Sequence, residues 1–252
     1  MLISPAEIPE RLKQACRGRR ICCVNGPPVS GKSTRAKAAA AAMNMDGLYP
    51  TFLDTSDIIR FERDNGTELG KIFDAHAADQ SKGGLQPDLM VMLALCFAME
   101  RIQRGIGAFL VGTPRTLQQA LWMIQSGVDI RYVHLLASKA QIQANVLRRL
   151  DENRSDDHHL GRRVRIYETD TVAGARAIKK HRPRHYHELG TDEKNIRRAT
   201  ILLVEAMIGR DHPKWPAIMR NIDNKQHEAG KTIWKIFRPR QEPHQIAELM
   251  AA

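Results

Sequence analysis

The 252-residue sequence has few aromatic residues, few cysteines and no long apolar run. Aromatic side chains form 5% of the chain, too few for a surface that stacks on nucleic-acid bases. No apolar segment approaches the ~20 residues that a membrane-spanning helix needs, so we expect no membrane partner. The four cysteines lack metal-ligand spacing and two are adjacent, which predicts reduced thiols and a cytoplasmic protein. Ser4, Pro5 and Glu7 are typical of a helix start, so we expect a folded N-terminus and no targeting segment.

Positive charge is in excess, because 39 Lys and Arg residues face 28 Asp and Glu residues for a formal net charge of +11. Residues 210–252 contribute only +3 of this excess, so most of it lies in residues 1–209. A polyanionic substrate and non-specific attraction to nucleic acid would both explain it. The chain has no zinc-finger spacing and no aromatic RNA-binding signature, so we expect the substrate and no nucleic-acid partner.

One segment carries a phosphate-binding motif. Residues 21–24 read as a short buried strand, residues 26–33 have the spacing Gly-x-x-x-x-Gly-Lys-Ser, and residues 35–43 are mostly alanine, the best helix former. In this context the loop amides and the helix dipole face an anion, and Lys32 reaches the β- and γ-phosphates. The sequence therefore predicts an ATP site, with the hydroxyl of Ser33 or Thr34 near a magnesium ion that Ser33 contacts indirectly. Its loop comprises Gly26, Pro27, Pro28, Val29, Ser30, Gly31, Lys32, Ser33 and Thr34.

Further strands are predicted after this loop, and helical segments alternate with them. The predicted strands cover residues 51–53, 108–111, 132–136 and 185–189. Such alternation predicts an α/β fold, a five-stranded parallel sheet with helices on both faces. Polar segments follow the second and third strands, at the sheet edge where ligands bind in folds of this class.

Five short blocks share their residues and their order with one known family. They are the loop at 26–34, Thr-Ser-Asp-Ile-Ile-Arg at 55–60, Leu-Gln-Pro-Asp at 85–88, Gly-Thr-Pro-Arg-Thr-Leu-Gln-Gln-Ala at 112–120, and Arg-x-Asp-Asp with Arg-x-x-x-Tyr at 154–167. Over about residues 20–209 the chain thereby resembles the adenylate kinase family of nucleoside monophosphate kinases. The resemblance implies a P-loop NTPase-like core at 1–209, a monophosphate-binding helical insert at 55–88, a short lid at 149–163, and a C-terminal extension of unknown role at 210–252.

The resemblance also implies a reaction, ATP + AMP giving two ADP with Mg²⁺, carried out by a monomer. Catalysis of phosphoryl transfer is positioning and charge neutralisation, so cationic side chains must converge on one cleft. The implied catalytic residues are Lys32, Arg115, Arg149 (or Arg148, since the spacing does not decide), Arg154 and Arg163, with Asp156 and Asp157 fixing the lid arginines. The implied AMP-binding residues are Thr55, Asp57, Arg60, Gln86, Gly112, Arg115 and Gln119, of which Thr55 and Gln119 read the adenine.

The sequence departs from the family pattern at three positions of the site. Val111 stands where the family has an Asp that orders water around magnesium, and Asp54 or Asp57 could partly substitute for it. Val29 replaces a loop glycine, and Thr113 replaces a Phe beside the monophosphate pocket. Val111 and the extension leave open a catalytically weakened family member that binds nucleotide as a sensor or assembly module. The basic charge leaves open a nucleic-acid-associated P-loop protein.

Overall fold

The computed structural model describes residues 4–78, 84–102, 105–149, 159–190 and 196–223. The elements are α1 (Ile8–Cys16), β1 (Arg20–Asn25), α2 (Lys32–Asn44), β2 (Thr51–Asp54), α3 (Thr55–Asp64), α4 (Glu68–Ala75), α5 (Asp88–Arg101), β3 (Gly107–Val111), α6 (Leu117–Gln125), β4 (Ile130–Leu136), α7 (Lys139–Arg149), α8 (Leu160–Ile166), α9 (Val172–His181), β5 (Tyr186–Gly190) and α10 (Ile196–Ile208). A π-helical turn at Tyr167–Thr171 joins α8 to α9, and 3₁₀ turns lie at Pro5–Glu7 and Pro183–His185.

The strands form one parallel sheet in the order β2-β3-β1-β4-β5. This confirms the predicted fold class, a P-loop NTPase-like α/β fold with a five-stranded parallel sheet. The strand β1 lies at the centre, and Val24 near its end pairs with Val111 of β3 on one side and with Val133 of β4 on the other. Since all strands run the same way, the loops that follow them meet at one edge of the sheet.

Helices cover both faces of the sheet because successive strand residues point to opposite sides. In β1, Ile21 and Cys23 face a cluster formed with helices that include α1, α5, α6 and α9. Cys22 and Val24 face the opposite cluster, which α2 and α10 complete. Within the described residues, no helix is both long and apolar enough to cross a membrane.

All four cysteines are free and buried in these layers. Burial raises the pKa of the Cys16 and Cys22 thiols to about 12, so both stay protonated near neutral pH. The thiols act as small apolar side chains of the core.

The first part of the C-terminal extension packs onto the face formed by α2 and α10. Residues 215–223 are helical, and Ile218 and Ile222 are buried in the same cluster as Leu203. Residues 224–252 lie outside the described part of the chain, and the predicted boundary after residue 209 stays a prediction.

Arg19 joins the ends of two helices under the sheet. Its guanidinium donates to the carbonyls of Ala15 and Cys16 at 3.0 Å, to that of Met99 at 2.8 Å, and to that of Ile102. The last carbonyls of a helix have no partner within it, so Arg19 satisfies groups that burial would otherwise leave unpaired.

We therefore expect Arg19→Ala to lower the free energy of unfolding by about 2–4 kcal/mol, since several charge-assisted hydrogen bonds are lost together. Urea denaturation of the purified protein measures this change. Lys13→Ala removes an exposed cation from the same helix end and should stay within about 0.5 kcal/mol of the unaltered protein. An Arg19→Ala variant as stable as this control would contradict the bridging role.

Candidate active site

The loop after β1 curves tightly back on itself before α2 begins. Gly26 has φ +151° and Gly31 has φ +77°, and a Cβ atom at Gly31 would stand 2.2 Å from the Arg35 guanidinium. That guanidinium is buried and donates to the carbonyl of Ser30 at 2.8 Å. The loop is therefore closed by an arginine of its own helix, and only glycine fits at its last residue.

Val29 occupies a strained backbone conformation within this loop. Its φ of +52° lies in the left-handed region, which β-branched residues rarely adopt. Its carbonyl accepts from the Asn145 amide at 2.9 Å, and its buried side chain contacts the cluster of Ile142, Val146 and Leu160. Packing against α7 and α8 thus stabilises Val29 in a left-handed backbone conformation, at a position where the family has glycine.

Lys32 and Ser33 begin α2 with their side chains bound to neighbouring oxygen atoms. The Lys32 ammonium donates to the carbonyls of Gly26 at 3.0 Å and Pro27 at 2.7 Å, which keeps it over the loop. The Ser33 hydroxyl donates to Oδ2 of Asp54 at 2.9 Å. A hydroxyl beside a carboxylate is the oxygen-rich environment that Mg²⁺ prefers, so these residues fit the predicted metal.

Two cavities lie beside this loop and share part of their lining. The first, which we call the α3 cavity, is lined by Thr55, Ser56, Ile59, Gly84, Leu85, Gln86, Val91, Gly112, Arg115, Gln119 and Arg163. The second, the loop cavity, is lined by Asn25, Gly26, Pro28, Lys32, Leu85, Arg115, Arg163, Ile166, Tyr167 and Thr171. Leu85, Arg115 and Arg163 belong to both. No described residue in either lining is acidic.

A polar brace fixes the wall of the α3 cavity. The Gln119 amide accepts from the Arg115 backbone N–H at 2.7 Å and donates to Oδ1 of Asp88 at 2.8 Å. The Thr116 hydroxyl donates to the other oxygen of Asp88 at 2.8 Å. The Arg115 side chain donates from Nε to the Gly112 carbonyl at 2.9 Å, which directs the guanidinium along the loop.

Thr113 adapts to the position that the family fills with Phe by bonding to Thr55. The Thr55 hydroxyl donates to the Val111 carbonyl at 2.8 Å and lies 2.8 Å from the Thr113 hydroxyl. Because the single Thr55 hydroxyl hydrogen goes to that carbonyl, Thr113 donates to Thr55. Any further hydrogen bond of the Thr55 hydroxyl must therefore be one that it accepts.

The structure brings together only part of the predicted AMP and lid set. Arg60 and Asp57 form a 2.7 Å ion pair on the outside of α3, with more than half of each side chain exposed, and neither is among the residues that line the α3 cavity. The side chain of Arg149 and all of Arg154, Asp156 and Asp157 lie outside the described residues. Their assignments stay predictions.

A buried histidine holds one wall of the loop cavity, and sequence reasoning missed it. The two ring nitrogens of His134 lie 2.8 Å from the Tyr186 hydroxyl and 2.7 Å from the Tyr167 hydroxyl. Burial lowers the pKa of His134 to about 4, so the ring is neutral near pH 7, with one nitrogen donating and the other accepting. Two features of the sequence could have indicated His134 as a site residue. Its partner Tyr167 belongs to the last family block, and His134 lies near the end of a strand, where it pairs with Asn25.

Asn25 and Thr171 also contribute to the site without having been singled out in the sequence. The Asn25 amide donates to the Pro114 carbonyl and accepts from the Gly26 N–H at 3.1 Å. Thr171 donates to the Arg115 carbonyl at 3.0 Å from the π-helical turn, a conformation frequent at functional sites. Only the position of Asn25 just before the loop could have indicated it in advance.

A glycine loop at the carboxyl edge of a parallel sheet, with a lysine at the start of its helix, defines a P-loop nucleotide-binding protein. No family model matches the chain. The adenylate kinase of Hyphomonas neptunium is 32% identical to it over 157 residues, which cover 58% of this chain and 78% of that protein. The chain belongs to the adenylate kinase family.

Two further relatives match a shorter stretch. The adenylate kinase of Thermococcus onnurineus is 35% identical over 97 residues, 38% of each chain. That of Flavobacterium psychrophilum is 37% identical over 95 residues, 38% of this chain and 46% of the relative. The chain thus spans less than half the length of these two relatives.

Val29 gives a first prediction for the site. We expect Val29→Gly to leave the free energy of unfolding within about 1 kcal/mol, since relief of strain offsets lost burial. Val29→Ala loses most of the burial but keeps the left-handed penalty, so it should be about 1 kcal/mol less stable than Val29→Gly. Urea denaturation of both variants measures the difference, and an alanine variant at least as stable as the glycine variant would refute the strained conformation.

His134 gives a second prediction, on pH dependence. The folded pKa of about 4 lies below the unfolded value of about 6.5, so the unfolded state binds more protons between these pH values. The stability of the unaltered protein relative to His134→Gln should therefore be greatest above pH 6.5 and fall by up to about 3 kcal/mol as the pH drops to 4.

Urea denaturation across this pH range measures the effect. His76→Gln removes an imidazole from an exposed position and should run parallel to the unaltered protein. A constant difference between the unaltered protein and His134→Gln would contradict a neutral, buried His134.

Proposed function

We propose that the protein is a nucleoside monophosphate kinase that transfers the γ-phosphoryl group of ATP to AMP and forms two ADP. The observation that carries this proposal is that Lys32, Arg115 and Arg163 line one cavity, the loop cavity. Two of these cations also line the α3 cavity, which the family resemblance assigns to the monophosphate. An acceptor there and a donor in the loop would share the same arginines.

The reaction asks little covalent chemistry of the protein. An oxygen of the AMP phosphate attacks the γ-phosphorus, and the bond from this phosphorus to the β–γ bridging oxygen breaks. The electron pair stays with that oxygen, so ATP leaves as ADP while AMP becomes ADP. Negative charge spreads over the transferred oxygens, and fixed cations stabilise it best where they need not move.

Each cation has a supported place in this scheme. Lys32 stays over the loop through the Gly26 and Pro27 carbonyls and would bind the donor phosphates. Arg115 is aligned by the Gly112 carbonyl and would hold the monophosphate, with a planar fork suited to phosphate oxygens. Arg163, which lines both cavities, would cover the group in transit. Magnesium bound with ATP would neutralise charge on the β- and γ-phosphates, and Ser33 is the loop residue placed for it.

Base preference follows from Thr55. Its hydroxyl hydrogen is already given to the Val111 carbonyl, so it has only acceptor capacity left for a base. Adenine, cytosine and guanine each carry an exocyclic amino group that can donate to it, whereas uracil offers only a ring N–H. This supports AMP over UMP as the acceptor, and the preference for AMP over CMP and GMP rests on the family resemblance.

One observation favours a second function, a nucleotide sensor or assembly module. Val111 provides no carboxylate at the position where the family has Asp. A protein that binds ATP and AMP without converting them would have this function.

A coupled assay of ADP formation with ATP, Mg²⁺ and each of AMP, CMP, GMP and UMP tests the proposal. We expect AMP to react fastest, UMP slowest, and Lys32→Ala to lower turnover by about 100-fold or more. Lys37→Ala removes an equal charge from the exposed side of the same helix and should keep full activity.

Three outcomes would reject parts of the proposal. Nucleotide binding by calorimetry without any ADP formation would favour the sensor. Faster conversion of UMP or CMP than of AMP would reject the adenine preference. Retention on immobilised DNA or RNA at moderate salt would favour the nucleic-acid-associated alternative.

A further inference from the structure

Asp54 connects the second strand of the sheet to the phosphate loop. It is the last residue of β2, and its Oδ2 atom accepts a hydrogen bond of 2.9 Å from the Ser33 hydroxyl, 21 residues away in the sequence. Ser33 is the loop hydroxyl that the motif assigns to the metal of the bound nucleotide. Across P-loop NTPases the second protein group at that metal is an aspartate at the end of a sheet strand.

The sheet register puts Asp54 beside the position that has lost its carboxylate. Asp54 of β2 pairs directly with Val111 of β3, and Val111 pairs with Val24 of β1 at the same level of the sheet. Val111 is 3% exposed and lies in the apolar cluster with Val24, so its own side chain offers nothing to a cation. The Asp54 carboxylate therefore lies level with Val111 at the edge of the sheet, on β2, which is one strand further from β1 than β3 is.

Helix capping accounts for only half of what Asp54 does. Its Oδ1 atom accepts from the Ser56 N–H at 3.0 Å and so caps α3. The bond from Ser33 reaches the other oxygen from a separate element, and a cap does not require it. Asp57, the other candidate, is bound to Arg60 at 2.7 Å and exposed on the outside of α3, so it does not face Ser33 in this way.

We propose that Asp54, together with Ser33, orders the water shell of the magnesium ion that accompanies ATP, in place of the aspartate absent at Val111. The inference rests on the proposed binding of ATP by the loop. Asp54 is a positioning residue in this scheme: its charge acts on the ion through water and through the Ser33 hydroxyl. Such outer ligands typically change metal affinity by about 10- to 100-fold.

The test compares ATP binding by isothermal titration calorimetry with Mg²⁺ and with EDTA. Asp54→Asn keeps the oxygen that caps α3 and removes the charge. Its amide NH2 then takes the place of the Oδ2 atom, so it donates to the Ser33 hydroxyl where Asp54 accepts from it. We expect this variant to bind metal-free ATP at least as tightly as the unaltered protein and Mg²⁺–ATP roughly 10- to 100-fold more weakly. Electron paramagnetic resonance of Mn²⁺ with ATP should show the same loss of metal affinity, independently of turnover.

Asp64→Asn is the matched control, because it removes one carboxylate from the exposed far end of the same helix. It should leave both affinities unchanged. The double variant Asp54→Asn with Val111→Asp should recover Mg²⁺–ATP and Mn²⁺ affinity at least in part if it stays folded by circular dichroism. The single variant decides the question whether or not the double variant folds.

An Asp54→Asn variant with unchanged Mg²⁺–ATP and Mn²⁺ affinity would overturn the inference and leave the proposed function standing. Equal loss of affinity with Mg²⁺ and with EDTA would also overturn it, since that result indicates damage to the loop and no effect on the metal. Failure of the unaltered protein to bind ATP under either condition would reject the proposed function and the inference together.

Discussion

The site depends on holding several cations together before any phosphate is present. Lys32, Arg115 and Arg163 line one cavity whose described lining has no acidic residue. Backbone carbonyls orient two of them: those of Gly26 and Pro27 accept from Lys32, and that of Gly112 accepts from Arg115. Such bonds align a cationic group before it meets a phosphate, and aligned groups stabilise developing negative charge best.

The sequence predicted those parts of this arrangement that are encoded locally. The phosphate loop, its strand and its helix lie within 25 consecutive residues, and the apolar strand segments are legible because parallel strands are buried on both faces. The more polar strand β5 was predicted at residues 185–189 and lies at Tyr186–Gly190. Arg115 and Gln119 come from one short block, and the structure joins them within that block, while their assignment to AMP stays a prediction.

The remaining contacts could not be predicted because they join residues far apart in the chain. His134 bonds to Tyr167 and Tyr186 across 33 and 52 residues, and an isolated histidine in a strand gives no sign of either partner. The block pattern also gave no sign of the surroundings of Arg60: it assigns Arg60 to the monophosphate, and the structure places the side chain in an exposed ion pair with Asp57. A motif specifies residue types and spacing, whereas the direction of a side chain depends on its neighbours in space.

Val29 shows how a departure from the family pattern can be accommodated by packing. A glycine adopts a positive φ without cost, but it has no side chain with which to contact other elements. Val29 adopts the same backbone region at a cost and gains contacts to α7, which precedes the predicted lid at 149–163, and to α8, which begins within it. The Val29 side chain therefore packs the phosphate loop directly against these two helices. A movement of either helix would change the packing around the loop.

The same reasoning applies to the carboxylate missing at Val111. A divalent cation responds to the charge and oxygen atoms around it and not to the strand that supplies them. Asp54 of β2 pairs with Val111 of β3, so a carboxylate on β2 lies at the same edge of the sheet as one on β3 would. Its Oδ2 atom is 2.9 Å from the Ser33 hydroxyl. Asp54 also caps α3, so this position has a structural reason to keep a short acidic or amide side chain whatever the metal requires. When valine occupies the family's aspartate position, the sheet therefore still offers a second position at the same edge from which a carboxylate can act.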